Sequence, residues 1–237
     1  MISCRLMNLD YLDYRHSLAL MRRLAAVRAE SGPEVLILAE HPPVITLGRR
    51  ATEAEITAPV SALDRAGVTV HRVERGGLAT YHGPGQLVAY PIFNLHFLRI
   101  GLMDLVQALE EIILTVLKEF GLEGRRVPDA RGVWVGRDKI ASIGLAVRRG
   151  ITFHGLALNN DPDLSHFDFI TPCGLEGIKL TSIRKLLGRP ADPELLRDLL
   201  AGRFARTFDL DFQPFTLAEA EDLIGREVLN HAQAAVA

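Results

Sequence analysis

The chain has 237 residues, with 27 basic against 29 acidic side chains, a net charge of −2 and a pI of about 6.5. That balance excludes a domain built on a basic nucleic-acid-binding face, for which a pI above roughly 9 is expected. Hydrophobic residues at 48 % and charged residues at 24 % exclude a disordered or fibrous chain, and a chain of this length buries roughly 70 % of its unfolded surface, enough for a core and a pocket.

No apolar run reaches the roughly 18 to 20 residues that a bilayer span requires, and residues 1–10 lack the basic and apolar regions of a signal peptide. The expectation is a soluble, cytoplasmic chain. Its two cysteines, Cys4 and Cys173, are too few for a disulfide framework or a thiolate metal site, so any cysteine chemistry rests on one thiol.

Residues 3–9 read as a first strand. Tyr14, Leu18, Met21 and Ala25 then recur at helical spacing, and Ser31-Gly32-Pro33 stops that helix. Two strands follow over 35–39 and 44–47, separated by His41-Pro42-Pro43. The pattern weakens over 49–66, resumes as a strand over 68–73, and passes through a polar Gly/Pro loop to an apolar run over 87–95. Val106, Leu109, Ile113, Val116 and Phe120 mark a second helix ending at Gly121. Strands are expected over 132–136, 139–147 and 151–158, the last two forming a hairpin around Arg149-Gly150. Asp192-Pro193 reads as a helix start, with an N-cap carboxylate and proline at the first helical position, and 215–224 as a last short helix. Strands in runs with grouped helices indicate an α/β (α+β) mixed sheet flanked by helices, with a smaller helical C-terminal part beginning near residue 190.

Four segments hold the candidate chemistry. Residues 75–86 carry four glycines in twelve residues, which lets backbone approach a ligand closely; they lack the order of a phosphate-binding loop, and a plain irregular connection remains the alternative. Lys139 opens the stretch Lys139-Ile140-Ala141-Ser142-Ile143-Gly144. At the mouth of a buried strand it would lose hydration, which makes the neutral amine, a usable base, more accessible; taken alone beside the Arg137-Asp138 turn, it reads rather as an exposed surface lysine. The segment His154-Gly155-Leu156-Ala157 either lines an apolar ligand or is core, with His154 read as a structural histidine. Cys173 sits between Pro172 and Gly174 ahead of a helix expected from Thr181. A thiol in such a place is a candidate nucleophile, against the alternative of an inert buried cysteine.

In order, RGGLATYHGPGQL at 75–87, GVWVGRDKIASIG at 132–144, HGLALN at 154–159 and PCGLEGIKLTSI at 172–183 closely resemble the lipoyl(octanoyl) transferases. The resemblance extends from the first helix to about residue 187 and implies the fold shared with biotin and lipoate protein ligases, as a single domain over 1–237 with 190–237 a helical C-terminal portion. It implies that Cys173 is the acyl-thioester nucleophile and that Lys139 activates it and relays protons. The acyl substrate would then be bound by Arg75, Gly76, Gly77, Leu78, Ala79, Thr80, Tyr81 and His82, by Ser142, Ile143 and Gly144, and by Gly155, Leu156 and Ala157. Leu78 and Ala79 depart from the more polar residues other members often carry. The donor implied is octanoyl-acyl carrier protein, and the acceptors are lipoyl domains and the glycine-cleavage H protein, with no cofactor, metal, nucleic acid or membrane, and a monomeric protein. The alternatives are an ATP-dependent lipoate or biotin protein ligase, a Cys-His hydrolase using His82 or His154, and a non-catalytic acyl-carrier-binding module.

Overall fold

The computed structural model describes residues 1–128, 130–171 and 179–234, with backbone alone for 226–234. In chain order the elements are β1 (Ile2–Leu9), α1 (Tyr14–Glu30), β2 (Glu34–Ala39), β3 (Val44–Leu47), α2 (Val60–Arg65), β4 (Thr69–Arg72), β5 (Ala79–His82), β6 (Gln86–Ile92), α3 (Leu95–Leu98), α4 (Leu102–Glu119), β7 (Gly124–Val127), β8 (Ala130–Val135), β9 (Asp138–Arg148), β10 (Ile151–Asn159), α5 (Ile183–Leu187), α6 (Pro193–Phe208), β11 (Leu210–Pro214) and α7 (Leu217–Ala234). Single 3-10 turns lie at Glu53–Glu55 and Leu164–Phe169.

Eight strands form one mixed sheet in the order β11-β1-β2-β6-β10-β9-β8-β7, and β4-β3-β5 form a second, smaller sheet. β1 runs parallel to both β11 and β2, whereas β2, β6, β10, β9, β8 and β7 pair antiparallel in succession. The central strand β2 is buried along its whole length, which is why its sequence Val35-Leu36-Ile37-Leu38 is continuously apolar rather than alternating. Its side chains still divide by parity. Leu36 and Leu38 join the core made with Leu109, Ile113 and Phe204 of α4 and α6, and Val35 and Ile37 join the core beneath α1, with Leu18, Met21 and Leu24. Each such leucine withdrawn from water contributes on the order of 1.5–3 kcal/mol.

Local chemistry sets the boundaries. Asp13 caps α1 by accepting the His16 N–H at 3.1 Å, and Asp192 caps α6 by accepting the Leu195 N–H at 2.9 Å, ahead of Pro193. The β9–β10 turn places Arg149 and Gly150 at φ of 51° and 77°, the pair of positive values that a two-residue hairpin turn needs to match the twist of its strands. Residues beyond 190 belong to the same sheet and core, since Phe204 packs edge-on against Phe93 and β11 pairs with β1 from Ile2↔Leu210 to Leu6↔Pro214. Among the described residues no helix is long and apolar enough to cross a membrane.

Candidate active site

Lys139 is the second residue of β9 and is only 4 % exposed. Its N–H donates to the Lys179 carbonyl at 2.8 Å, and its own carbonyl accepts the Thr181 N–H at 2.9 Å, so Leu180 and Lys139 form a short parallel bridge. The ammonium lies 4.9 Å from the centre of the Trp134 ring on β8, a cation–π distance. Room for the lysine stem comes from Gly132. This residue has φ of 120°, and a Cβ there would stand 2.8 Å from the Lys139 Cε and 2.2 Å from the Ala141 carbonyl oxygen. Buried Glu110 of α4 accepts the Gly132 N–H at 3.1 Å and fixes that backbone.

A cavity of about 420 Å³ extends from Lys139 across β9 and β10, within the size range of small-ligand sites. It brings together Arg75, Gly76, Gly77, Leu78, Ala79, Thr80, His82, Lys139, Ser142, Ile143, Gly144, Gly155, Leu156 and Ala157, stretches far apart in sequence. Tyr81 is not among the lining residues. Its neighbours Thr80 and His82 line the cavity, so strand alternation sends the Tyr81 ring the other way, where its hydroxyl meets His166 Nδ1 at 2.8 Å and its ring packs against Phe167. Cys173 lies outside the described residues.

Arg75 is buried and its guanidinium is used as a tie. It donates to the Thr46 carbonyl at 2.6 Å, to the Thr46 hydroxyl at 2.8 and 3.0 Å, and to the Gly76 carbonyl at 3.1 Å. Gly76 in turn donates to the Leu145 carbonyl at 2.8 Å, which draws the glycine-rich segment over β9. Gly155 lets β10 lie close to β6, because a Cβ there would sit 1.9 Å from the Ala89 carbonyl oxygen.

The wall is completed by residues that sequence reasoning did not assign to a site, among them Tyr14, Trp134, Val88, Tyr90 and Val106, and by His154, which the sequence offers as structural or as the base of a Cys-His hydrolase. Tyr14 had carried only a helical-stripe signal. The tyrosines and histidines gather at one end of the cavity: the Tyr14 and His82 rings stack with centroids 6.0 Å apart, and His41 bonds the Leu12 carbonyl and the Tyr90 hydroxyl, each at 2.7 Å. Burial pushes His82 down to about 3 and His41 down to about 4, so both are neutral at neutral pH. Burial also lowers His154. The Glu74 carboxyl is held below its ordinary range, first by the facing His154 imidazole. The histidine rings in the cavity wall are therefore uncharged at neutral pH.

Among the described residues no group of three or more His, Cys, Asp or Glu could hold a metal ion. What the site offers is a cavity lined by glycine backbone and apolar side chains, with the buried Lys139 amine, the Arg75 guanidinium and neutral histidine rings in its wall.

Comparison with known proteins agrees with this geometry. Residues 13–205 match the model of the lipoyl protein ligase A/B catalytic domain. The chain is 46 % identical over 220 residues to the octanoyltransferase of Syntrophobacter fumaroxidans, covering 92 % of this chain and 96 % of that one. It is 37 % identical over 221 residues to the octanoyltransferase of Desulforamulus reducens, covering 92 % and 97 %. In fold it is similar to a T. acidophilum protein described as a lipoate protein ligase and solved with bound lipoic acid, at a TM-score of 0.75, 20 % identity and coverage of 97 % and 96 %. By the extent of these matches the chain belongs to the lipoyl protein ligase A/B catalytic-domain family and stands within it among the octanoyltransferases, which are acyltransferases.

Proposed function

We propose that the chain transfers an octanoyl group from the thioester of an acyl carrier protein to the ε-amine of a lysine on a lipoyl domain or the glycine-cleavage H protein, through a thioester on Cys173. The observation that carries this reading is the cavity that buried Lys139 lines together with the glycine-rich stretches, in a chain 46 % identical to an octanoyltransferase. The pairing of Lys139 with Lys179 and Thr181 supports it further, since that segment begins six residues after Cys173.

Lys139 in its neutral form takes the Cys173 thiol proton, and the thiolate attacks the thioester carbonyl. The carrier's thiol leaves with a proton, and the octanoyl group is held on the Cys173 sulfur. The acceptor lysine, relieved of a proton by Lys139, then attacks that carbonyl; an amide forms and the cysteine thiolate leaves. Exchange of thioester for amide is downhill and requires no ATP, whereas an ATP-dependent ligase would activate a free acid and need no cysteine.

Intact-protein mass spectrometry tests this. Octanoyl-acyl carrier protein without ATP should give one octanoyl adduct, mapped to Cys173 and absent in Cys173→Ser, that disappears as an added lipoyl domain gains the group. Modification of the lipoyl domain only with ATP and free octanoate would assign the chain to the ligase reaction instead.

A further inference from the structure

His154 breaks the alternation of its own strand. The register of β10 with β9 sets Phe153, Gly155 and Ala157 opposite Ala146, Gly144 and Ser142, and Phe153, Ala157 and Ala146 share the core under α1. Regular pleating would turn the side chain between them to the opposite face. Instead His154 takes φ of 57°, a left-handed conformation unfavourable to any residue with a Cβ. Its ring stands 5.1 Å from that of its neighbour Phe153, its Nδ1 faces the Tyr14 hydroxyl of α1 at 3.5 Å, and its Nε2 faces Glu74 Oε2 at 3.8 Å, beyond hydrogen-bond reach. Neither of those last two atoms has a hydrogen-bond partner. Strain is thus spent on turning an imidazole toward Tyr14 and Glu74 in the wall of the first cavity.

A second cavity of about 430 Å³ is lined by Arg22, Arg49, Arg148 and Arg149 with Glu74, and by apolar side chains that include Ala29 and Phe153. His154 lines the first cavity and Glu74 the second, so their contact stands on the wall the two share. Leu145 and Ala146, and Arg75 and Glu74, divide between the cavities in the same way.

We propose that His154 is the end wall of the acyl cavity and sets the length of acyl chain the enzyme accepts, by closing the first cavity against the second. The inference rests on the reading that the first cavity receives the acyl chain. Methylenes beyond that length would have to displace a buried imidazole from between Tyr14 and Glu74; without the imidazole they would run on along Ala25, Ala29 and Phe153 of the second cavity, which Arg22, Arg49, Arg148 and Arg149 also line.

The test is His154→Gly, which removes the wall and suits the backbone conformation, alongside His154→Asn, a shorter side chain that also tolerates φ > 0. Two readouts are taken: the rate of dodecanoyl against octanoyl transfer from the carrier protein, and the binding of dodecanoate against octanoate followed by fluorescence of Trp134, the single tryptophan, which needs no turnover. In His154→Gly the dodecanoyl-to-octanoyl ratio should rise at least tenfold in both, in His154→Asn by less, and refilling the second cavity with Ala29→Leu in the glycine variant should bring it back down. A folded glycine variant with unchanged ratios in both readouts would overturn the proposal. A wild-type protein whose fluorescence answers to neither acid would instead remove the acyl-cavity reading itself.

Discussion

Gln86 Oε1 accepts the Nδ1–H of His82 at 2.6 Å, and the direction of that bond is set from the far end of a chain that reaches Lys139. The Thr181 carbonyl can only accept, so Asn159 Nδ2 donates to it at 3.0 Å; Asn159 Oδ1 then accepts from Gln86 Nε2 at 2.9 Å, which leaves Gln86 Oε1 for the histidine. Thr181 itself donates to Lys139. His82 is therefore a neutral imidazole with its proton on Nδ1 and its lone pair on Nε2. Replacing Gln86 by Leu leaves His82 Nδ1–H and Asn159 Oδ1 without these partners, at about 1–3 kcal/mol for each buried group. The urea midpoint of Gln86→Leu should fall accordingly.

Acid should unfold the protein through its buried histidines. His82 and His41 titrate at about 3 and about 4 in the folded state, against about 6.5 when unfolded. The unfolded chain thus binds more protons below pH 6.5. Stability is full above that value and declines as pH falls toward the folded pKa values, by about 1.4 kcal/mol per pH unit for each histidine. Denaturant titrations at pH 7.0, 5.5 and 4.5 should show this slope, and His41→Gln should reduce it by the share of one histidine. A flat profile between pH 6.5 and 4.5 would contradict the assignment of both rings as buried and neutral.

Two glycines of the cavity should behave differently on substitution. A methyl at Gly155 would meet the Ala89 carbonyl oxygen at 1.9 Å and the Pro91 Cδ at 2.8 Å. β10 can only move away from β6, so Gly155→Ala should cost more than about 3 kcal/mol, as severe overpacking does. A methyl at Gly144 would meet the Arg75 Cδ and the Gly76 carbonyl oxygen at 3.2 Å each, a contact that small shifts relieve. Gly144→Ala should fold with a melting temperature within a few degrees of wild type and bind octanoate more weakly. Circular dichroism and the Trp134 fluorescence titration distinguish the two.

Lys139→Met keeps an unbranched stem against Trp134 and removes the amine. If Lys139 moves the protons of both half-reactions, kcat should fall by about 10²–10⁴, the usual contribution of a positioned acid or base. The melting temperature and the KM for the acylated carrier should change little. Unaltered turnover in this variant would assign the proton transfers to another group.

Where neighbours in sequence decide the structure, the chain was readable. The stripe of Tyr14, Leu18, Met21 and Ala25 lies on the buried face of α1, Asp192 caps α6, and Arg149-Gly150 turns the hairpin. The segment 79–82 read as loop because glycine and proline surround it, yet it is β5, made a strand by pairing with β3 from Leu47↔Ala79 to Val44↔His82. Likewise β11 was hidden between two helices, and its strand character comes from β1 at the other end of the chain. The site divides similarly. The glycine-rich stretches stand out by composition and Lys139 only through the family resemblance, but Tyr14 looks like a core residue and His154 like a structural one, since only the backbone conformation at residue 154 reveals which face its ring occupies.

The parallel pairing of Ile2 with Leu210 imposes an order on synthesis. As the chain emerges from the ribosome, β1 and β2 can associate early, but the outer edge of β1 keeps its N–H and C=O groups exposed until residues 210–214 have been made. An exposed edge of this kind invites pairing with other nascent chains, and a contact of such long range closes slowly. Truncation before Leu210 should therefore give a protein that aggregates during expression, although all of the described residues lining the 420 Å³ cavity would already be present.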